Sequence, residues 1–139
     1  MAAIFLIGRL ILGAYYLFGA YHHFSDTSTM AGYAGSHGVP YPTAAILVSG
    51  LLLAIAGVTL VLGLLPRVGV VALVLFFLPV TFTMHQFWAD TNAAARMADM
   101  VNFTKNLALL GSSLMFLAIP EPWPYSLRRT VRWRVRARA

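Results

Sequence analysis

Residues 43–65, TAAILVSGLLLAIAGVTLVLGLL, contain no ionisable side chain. A helix of this length spans the hydrocarbon core of a bilayer, which is roughly 30 Å thick. Backbone amides in lipid must be hydrogen-bonded within their own segment, so this stretch is predicted to be a transmembrane helix. Three more apolar runs of similar length bring the predicted spans to four, at about 2–24, 43–65, 68–87 and 97–119.

The composition favours a membrane protein over the other broad classes of chain. Hydrophobic residues make up 60% of the sequence and charged residues 10%, whereas soluble domains average about 45–50% and about 25%. The chain has no cysteine, which excludes a disulfide scaffold, CxxC redox chemistry and a cysteine nucleophile. We therefore expect an all-α fold in which residues 1–119 form a four-helix transmembrane bundle and residues 120–139 form a basic tail.

The arginines predict the orientation of the bundle in the membrane. Arg9 lies in the first span, Arg67 lies on the tight turn after the second, and the remaining basic cluster lies in the tail. These three places share one side of the membrane if the spans run up-down-up-down. Basic residues concentrate on the cytoplasmic side, so both termini are predicted to be cytoplasmic and the connections 25–42 and 88–96 to face outward.

The tail alternates arginine with valine and tryptophan. Such a segment binds anionic headgroups and also determines topology, so we expect contacts with membrane lipids or with a partner protein. A sequence pI near 10.3 also suggests nucleic acid, but on a multi-pass protein the topological role explains the charge, and no nucleic-acid partner is predicted. The arginines expected to make lipid or partner contacts are Arg128, Arg129, Arg132, Arg134 and Arg136.

Small residues predict where the helices approach one another. Gly50, Ala54 and Gly57 recur at spacings of four and three on the second span, which places them on one strip of the helix. Transmembrane helices associate through close packing of small residues and through polar contacts. We expect a neighbouring helix to pack against this strip.

Polar side chains concentrate in the outward halves of the predicted spans. On the fourth span, Asp99, Asn102, Lys105, Asn106 and Ser113 fall within an arc of about 140° at about 100° per residue. Ionisable groups inside a membrane are functional hypotheses by default. We predict a pocket that opens to the outer face, with Arg9 below it. Its candidate ligand-binding residues are His85, Asn102, Lys105, Asn106, His23, Tyr16 and Arg9.

A quinone headgroup suits this predicted pocket. It needs hydrogen-bonding side chains beside aromatic walls, and His85, Lys105 and Asn102 would supply the former. Haem b held by His85 with His22 or His23 is an alternative that the positions permit. No zinc-ligand spacing, nucleophile elbow or phosphate-binding glycine loop is present, so no metal site is predicted and no catalytic residue is assigned.

Ordered glycines and two later motifs resemble a known family. The glycine pattern runs from Gly8-Arg9-Leu10-Ile11-Leu12-Gly13 through Gly38-Val39-Pro40 to Arg67-Val68-Gly69. The later motifs are His85-Gln86-Phe87-Trp88 and Asn102-Phe103-Thr104-Lys105-Asn106-Leu107. Together they are similar to the DoxX family of small four-helix bacterial membrane proteins. The resemblance implies an inner-membrane location and, as in some members, a link to thiosulfate:quinone oxidoreduction or to complexes that handle sulfur compounds.

Two functional hypotheses follow. In the first, the chain is a redox-linked subunit of a membrane oxidoreductase whose pocket binds a quinone or a small sulfur compound, with electrons supplied by a partner. In the second, it is a non-catalytic accessory or assembly subunit of a larger membrane complex, and the polar residues serve helix packing. A transporter would need polar groups throughout the bilayer, and the second span has no ionisable side chain.

Overall fold

A computed structural model describes residues 1–127 of the chain. This part is helical and contains no strand, so the predicted all-α class is confirmed. The tail arginines from Arg128 onward lie outside the described residues. The elements are α1 (Ala2–Ser25), α2 (Thr27–Ser36), α3 (Pro42–Leu62), α4 (Pro66–Met84), α5 (Ala93–Met115) and a short 3₁₀ turn, η1 (Phe116–Ala118).

Three of the four long helices, α1, α3 and α4, are long and apolar enough to cross a membrane. Many of their large hydrophobic side chains face outward, including Ile4, Ile11, Leu51 and Leu75. Exposed apolar surface on this scale fits a lipid environment. Helix α5 is also long, at 23 residues, but polar and charged side chains in its first half place it outside this group of three.

Helices α1 and α3 pack antiparallel through the predicted small-residue strip. A side chain at Gly57 would come within 2.9 Å of the carbonyl oxygen of Gly13, and one at Gly13 within 3.1 Å of that of Gly57. Farther along, Gly50 lies against the side chains of His23 and Phe24. The two backbones therefore approach closely along the strip.

The tight turn between α3 and α4 moves the adjoining ends of both helices relative to the predicted spans. Gly63 ends α3 with φ 65°, and Leu65 follows with φ 48° before Pro66 begins α4. Two residues with positive φ reverse the chain direction, and proline suits the first position of the new helix. Helix α3 therefore ends at Leu62 rather than Leu65, and α4 covers residues 66–84 rather than 68–87.

Helix α5 begins four residues before the predicted fourth span. The Asn92 side chain accepts hydrogen bonds from the backbone N–H groups of Ala94 and Ala95, at 2.9 and 3.1 Å. This is an N-cap, which satisfies amides that have no partner within the helix. From there α5 runs back along α4, since His85 contacts Asp99 and Phe82 contacts Phe103. Neighbouring long helices thus alternate in direction.

Candidate functional site

A cavity of about 570 Å³ lies among α2, α3, α4 and the C-terminal part of α1. This volume falls in the range of small-molecule sites, about 300–1,000 Å³. Its walls are mainly apolar, and the apolar lining residues are Met30, Ala34, Val39, Ala45, Ile46, Val48, Leu52, Leu75, Phe76, Pro79, Val80 and Met84.

The cavity reaches the outer surface of the bundle between α3 and α4. Val48 on α3 and Leu75 on α4 both line it, and each is 57% exposed. These residues belong to helices that are apolar enough to cross a membrane. A molecule dissolved in lipid could therefore reach the cavity from the side.

Two histidine side chains line the cavity. His23, in the last turn of α1, has its ring Nδ1 2.8 Å from the carbonyl oxygen of Gly19, one turn earlier. The ring also makes an edge contact with Phe76, with centroids 6.0 Å apart. A backbone contact on one side and an aromatic contact on the other hold the imidazole in place.

His85, the second histidine, follows the last residue of α4. Its Nδ1 lies 3.1 Å from Oδ1 of Asp99 on α5. The two side chains are 16% and 15% exposed, so the pair is largely shielded. A carboxylate on one ring nitrogen orients the imidazole and sets which nitrogen carries the hydrogen.

Four hydroxyl groups complete the polar part of the wall, at Thr29, Tyr33, Ser49 and Thr83. Ser49 donates its hydrogen to the carbonyl oxygen of Ile46 at 2.9 Å, and Thr83 donates to that of Pro79 at 2.7 Å. Partial burial raises the pKa of Tyr33, and the carboxylates of Asp99 and Asp90 raise it further. The phenol therefore stays protonated at neutral pH.

Asn102 and Lys105 pair with each other rather than lining the cavity. The Lys105 ammonium group donates to Oδ1 of Asn102 at 2.8 Å, and Lys105 is exposed on α5. Residues three positions apart on a helix are neighbours, so this pair satisfies itself locally. The structure thus separates these two predicted site residues from His85.

Tyr16 and Asn106 are buried in the interior of the bundle. The Tyr16 hydroxyl lies 3.0 Å from Oγ of Ser113. Ser113 uses its own hydrogen to reach the carbonyl oxygen of Leu109 at 2.7 Å, so Tyr16 is the donor. This bond links α1 to α5, and neither Tyr16 nor Asn106 belongs to the cavity wall.

Arg9 lies at the opposite end of the bundle. Its guanidinium group donates to the backbone oxygen of Tyr125 at 2.9 Å and lies 5.9 Å from the ring centre of Trp123. Of the seven predicted pocket residues, the structure brings only His23 and His85 to the cavity. Whether any of the seven binds a ligand stays a prediction.

The contribution of α2 was not predicted from the sequence. Residues 25–42 were expected only to form an outward-facing connection, yet Met30, Tyr33 and Ala34 form one wall of the cavity. The available signal in the sequence is the spacing of two small residues, Ala31 and Ala34, both of which are buried in the structure. Asp99, the partner of His85, is placed by the sequence on the polar face of the fourth span without a role at the site.

Within residues 1–127, no three histidine, aspartate or glutamate side chains are grouped so that they could hold a metal ion.

Comparison with known proteins gives one match. A family model described as DoxX matches residues 4–86, more than half of the chain. No curated protein and no solved structure shows a significant match.

Proposed function

Because the chain belongs to the DoxX family, we propose that it is a multi-pass protein of the bacterial inner membrane that binds a lipid-soluble quinone and serves as a redox-linked subunit of a membrane oxidoreductase. The observation that carries this proposal is the cavity with its side opening and its two imidazoles. Apolar walls with a few polar groups suit an aromatic headgroup on a hydrocarbon tail.

The chemistry of the wall favours a quinone over an anionic sulfur compound. A sulfur oxyanion would need cationic or strongly donating groups around it. No lysine or arginine is among the cavity's lining residues within the described part of the chain. A neutral quinone has no such requirement and gains from burial of its ring and tail.

Electrons would come from a partner subunit. The chain has no cysteine, so it has no thiolate with which to hold an iron–sulfur cluster or to form a redox disulfide. In this proposal the protein supplies the quinone site, and a cofactor-bearing partner supplies the oxidation or reduction.

The proposal includes α5 as a fourth span and places both termini in the cytoplasm. Phe5 and Trp123 lie 5.1 Å apart, which supports a common side for the start of α1 and the segment after η1. Arg9 and Arg67 belong to this same end, and the positive-inside rule assigns that end to the cytoplasm. The cavity then lies toward the outer face.

Filling the cavity tests the proposal. Ala45 lines it, whereas the adjacent Ala44 is exposed on the same turn of α3. We expect Ala45→Phe to reduce the quinone that copurifies with the protein by roughly tenfold, because the new ring occupies the headgroup space and about 1.4 kcal/mol is lost. Quinone extracted per mole of protein is the measurement.

Ala44→Phe is the matched control and should leave the bound quinone unchanged. Wild-type protein that retains no quinone, and that binds none when a decyl-substituted benzoquinone is added in lipid nanodiscs, would contradict the proposal. Equal loss from both variants would also count against it, because the effect would then not come from the cavity.

A second candidate function, an accessory subunit of a larger membrane assembly, is favoured by one observation. Lys105 lies exposed near the middle of α5, with Asn102 as its hydrogen-bond partner. A cation at this depth costs free energy in lipid. A partner helix that carries a polar or acidic side chain would remove that cost.

A further inference from the structure

Most polar side chains on the cavity wall already donate a hydrogen atom to another group of the protein. A carbonyl oxygen can only accept a hydrogen bond, so Nδ1 of His23, 2.8 Å from the Gly19 oxygen, carries the hydrogen. An oxygen of the Asp99 carboxylate likewise accepts, so Nδ1 of His85, 3.1 Å from Oδ1, also carries the hydrogen. In a neutral imidazole, the other nitrogen, Nε2, is then a hydrogen-bond acceptor.

Two of the hydroxyl groups follow the same pattern. Ser49 donates to the Ile46 oxygen and Thr83 to the Pro79 oxygen, about one turn back along their own helices. Each oxygen then has only lone pairs left for a ligand. Four of the six polar side chains on the wall therefore present acceptors, and the hydroxyls of Thr29 and Tyr33 can donate or accept.

From this pattern we infer that the cavity prefers the reduced, hydroxyl-bearing quinol over the oxidised quinone. A quinone carbonyl is itself an acceptor and finds no donor at the two imidazoles. A quinol O–H can donate to Nε2 of either histidine. This inference rests on the proposed function and adds the redox form of the ligand that the site selects.

The preference has a thermodynamic consequence. A site that binds the reduced form more tightly makes the bound quinone easier to reduce, so its midpoint potential rises. For a two-electron couple, each tenfold ratio of affinities raises that potential by about 30 mV.

Paired binding titrations test the inference. Full-length protein in lipid nanodiscs is titrated under argon with decyl-benzoquinone and with its quinol, and empty nanodiscs correct for partitioning. We expect the quinol to bind roughly tenfold more tightly, the contribution of one net hydrogen bond. A redox-inert pair, para-decylphenol and its methyl ether, should show the same order.

Variants at His85 and Asp99 separate a specific effect from a structural one. His85→Phe removes an acceptor, and the affinity ratio of quinol to quinone should fall severalfold. Asp99→Asn allows an amide N–H to donate to Nδ1, so that Nε2 can carry the hydrogen and the ratio should fall again. Asp99→Glu should preserve the ratio.

His22→Phe is the control. His22 is exposed outside the cavity wall, so its loss should not change the ratio.

The outcomes distinguish this inference from the proposed function. If the quinone binds as tightly as the quinol or more tightly, the inference is overturned and the quinone site stands. If the ratio survives both His85→Phe and Asp99→Asn, the assignment of His85 as the acceptor is overturned. If neither ligand binds beyond empty nanodiscs, the proposed function itself fails.

Discussion

Arg9 is the most informative single residue outside the cavity. Arg9 is 1% exposed. Its Nη2 donates a hydrogen bond to the Tyr125 carbonyl oxygen, whereas Nε and Nη1 have no hydrogen-bond partner among the described residues. Gly63 lies directly against the guanidinium group, and a side chain there would collide with Nη1. Arg9 therefore binds the chain that follows η1 to α1, next to the turn between α3 and α4.

Replacing Arg9 should release that chain. A hydrogen bond to a charged group contributes about 1.5–3 kcal/mol. In Arg9→Met the segment around Tyr125 should therefore open at least roughly tenfold more often. Chymotryptic cleavage after Tyr125, followed by mass spectrometry, measures this opening when cleavage is slow relative to reclosing.

Arg67→Met serves as the comparison. The Arg67 side chain is 83% exposed, and its Nε lies 3.6 Å from Oε1 of Glu121. A surface ion pair of this kind is weak. Its loss should change the cleavage rate little. Equal rates in wild type and Arg9→Met would show that Arg9 does not anchor the segment.

At the scale of the elements, the contact between α1 and α3 depends on glycine. Gly13 and Gly57 face one another, and each leaves room for the other's carbonyl oxygen. Without side chains, the two helices approach closely enough for extensive van der Waals contact, which drives association in lipid. This contact also places His23 beside α3 and α4, where the cavity forms.

Gly57→Ala should weaken the contact. The new methyl group would lie 2.6 Å from Cγ of Leu17 and 2.9 Å from the Gly13 oxygen, and a backbone atom cannot move aside cheaply. Overpacking of this kind costs about 1–3 kcal/mol. We expect a melting temperature several degrees lower for the detergent-solubilised protein.

Gly111→Ala is the control, because nothing lies within 4 Å of that position in α5. Alanine favours a helix over glycine, so this variant should melt at the wild-type temperature or slightly above it. If Gly57→Ala melts like Gly111→Ala, the α1–α3 contact tolerates a wider separation than the structure indicates.

For the molecule as a whole, the packing of the last long helix bears on function. Helix α5 packs mainly on α4 and η1, and among its residues only Asn106 and Ser113 are buried. The Lys105–Asn102 pair lies on the exposed remainder. A surface with this chemistry suits a contact with another membrane subunit, as in the second candidate function.

Lys105→Met tests that contact. If a partner helix binds Lys105, solubilised membranes should show the wild-type protein in a larger complex on a native gel, and the variant should migrate as a smaller species. Arg96→Met, at the exposed start of the same helix, should leave the complex intact. Wild-type protein that migrates as a monomer would contradict the accessory role.

Much of the fold could be predicted because apolarity and helix packing leave direct marks on the sequence. The run at 43–65 predicts α3, and the spacing of Gly50 and Gly57 predicts the face that α1 covers. Helix ends were predicted less accurately, because they depend on the capping contacts of single residues such as Asn92 and Gly63.

Of the predicted pocket residues, His23 and His85 lie on the cavity wall, and ligand binding there stays a prediction. Lys105 and Asn102, three positions apart, could have been recognised as a local pair, which removes the need for a cavity around them. Tyr33 on α2 could not be assigned, because nothing in its own segment says which helices it covers.

By itself, the sequence determined that the chain is helical and that it belongs in a membrane, because both follow from the content of single segments. Only the tertiary structure decided which polar groups share a cavity. Successive residues lie about 100° apart around a helix axis. The rotation of α4 and α5 about their own axes therefore decides which side chains lie on a given wall. The pairing of His85 with Asp99, and so the hydrogen-bonding character of the cavity, depends on how the helices pack together.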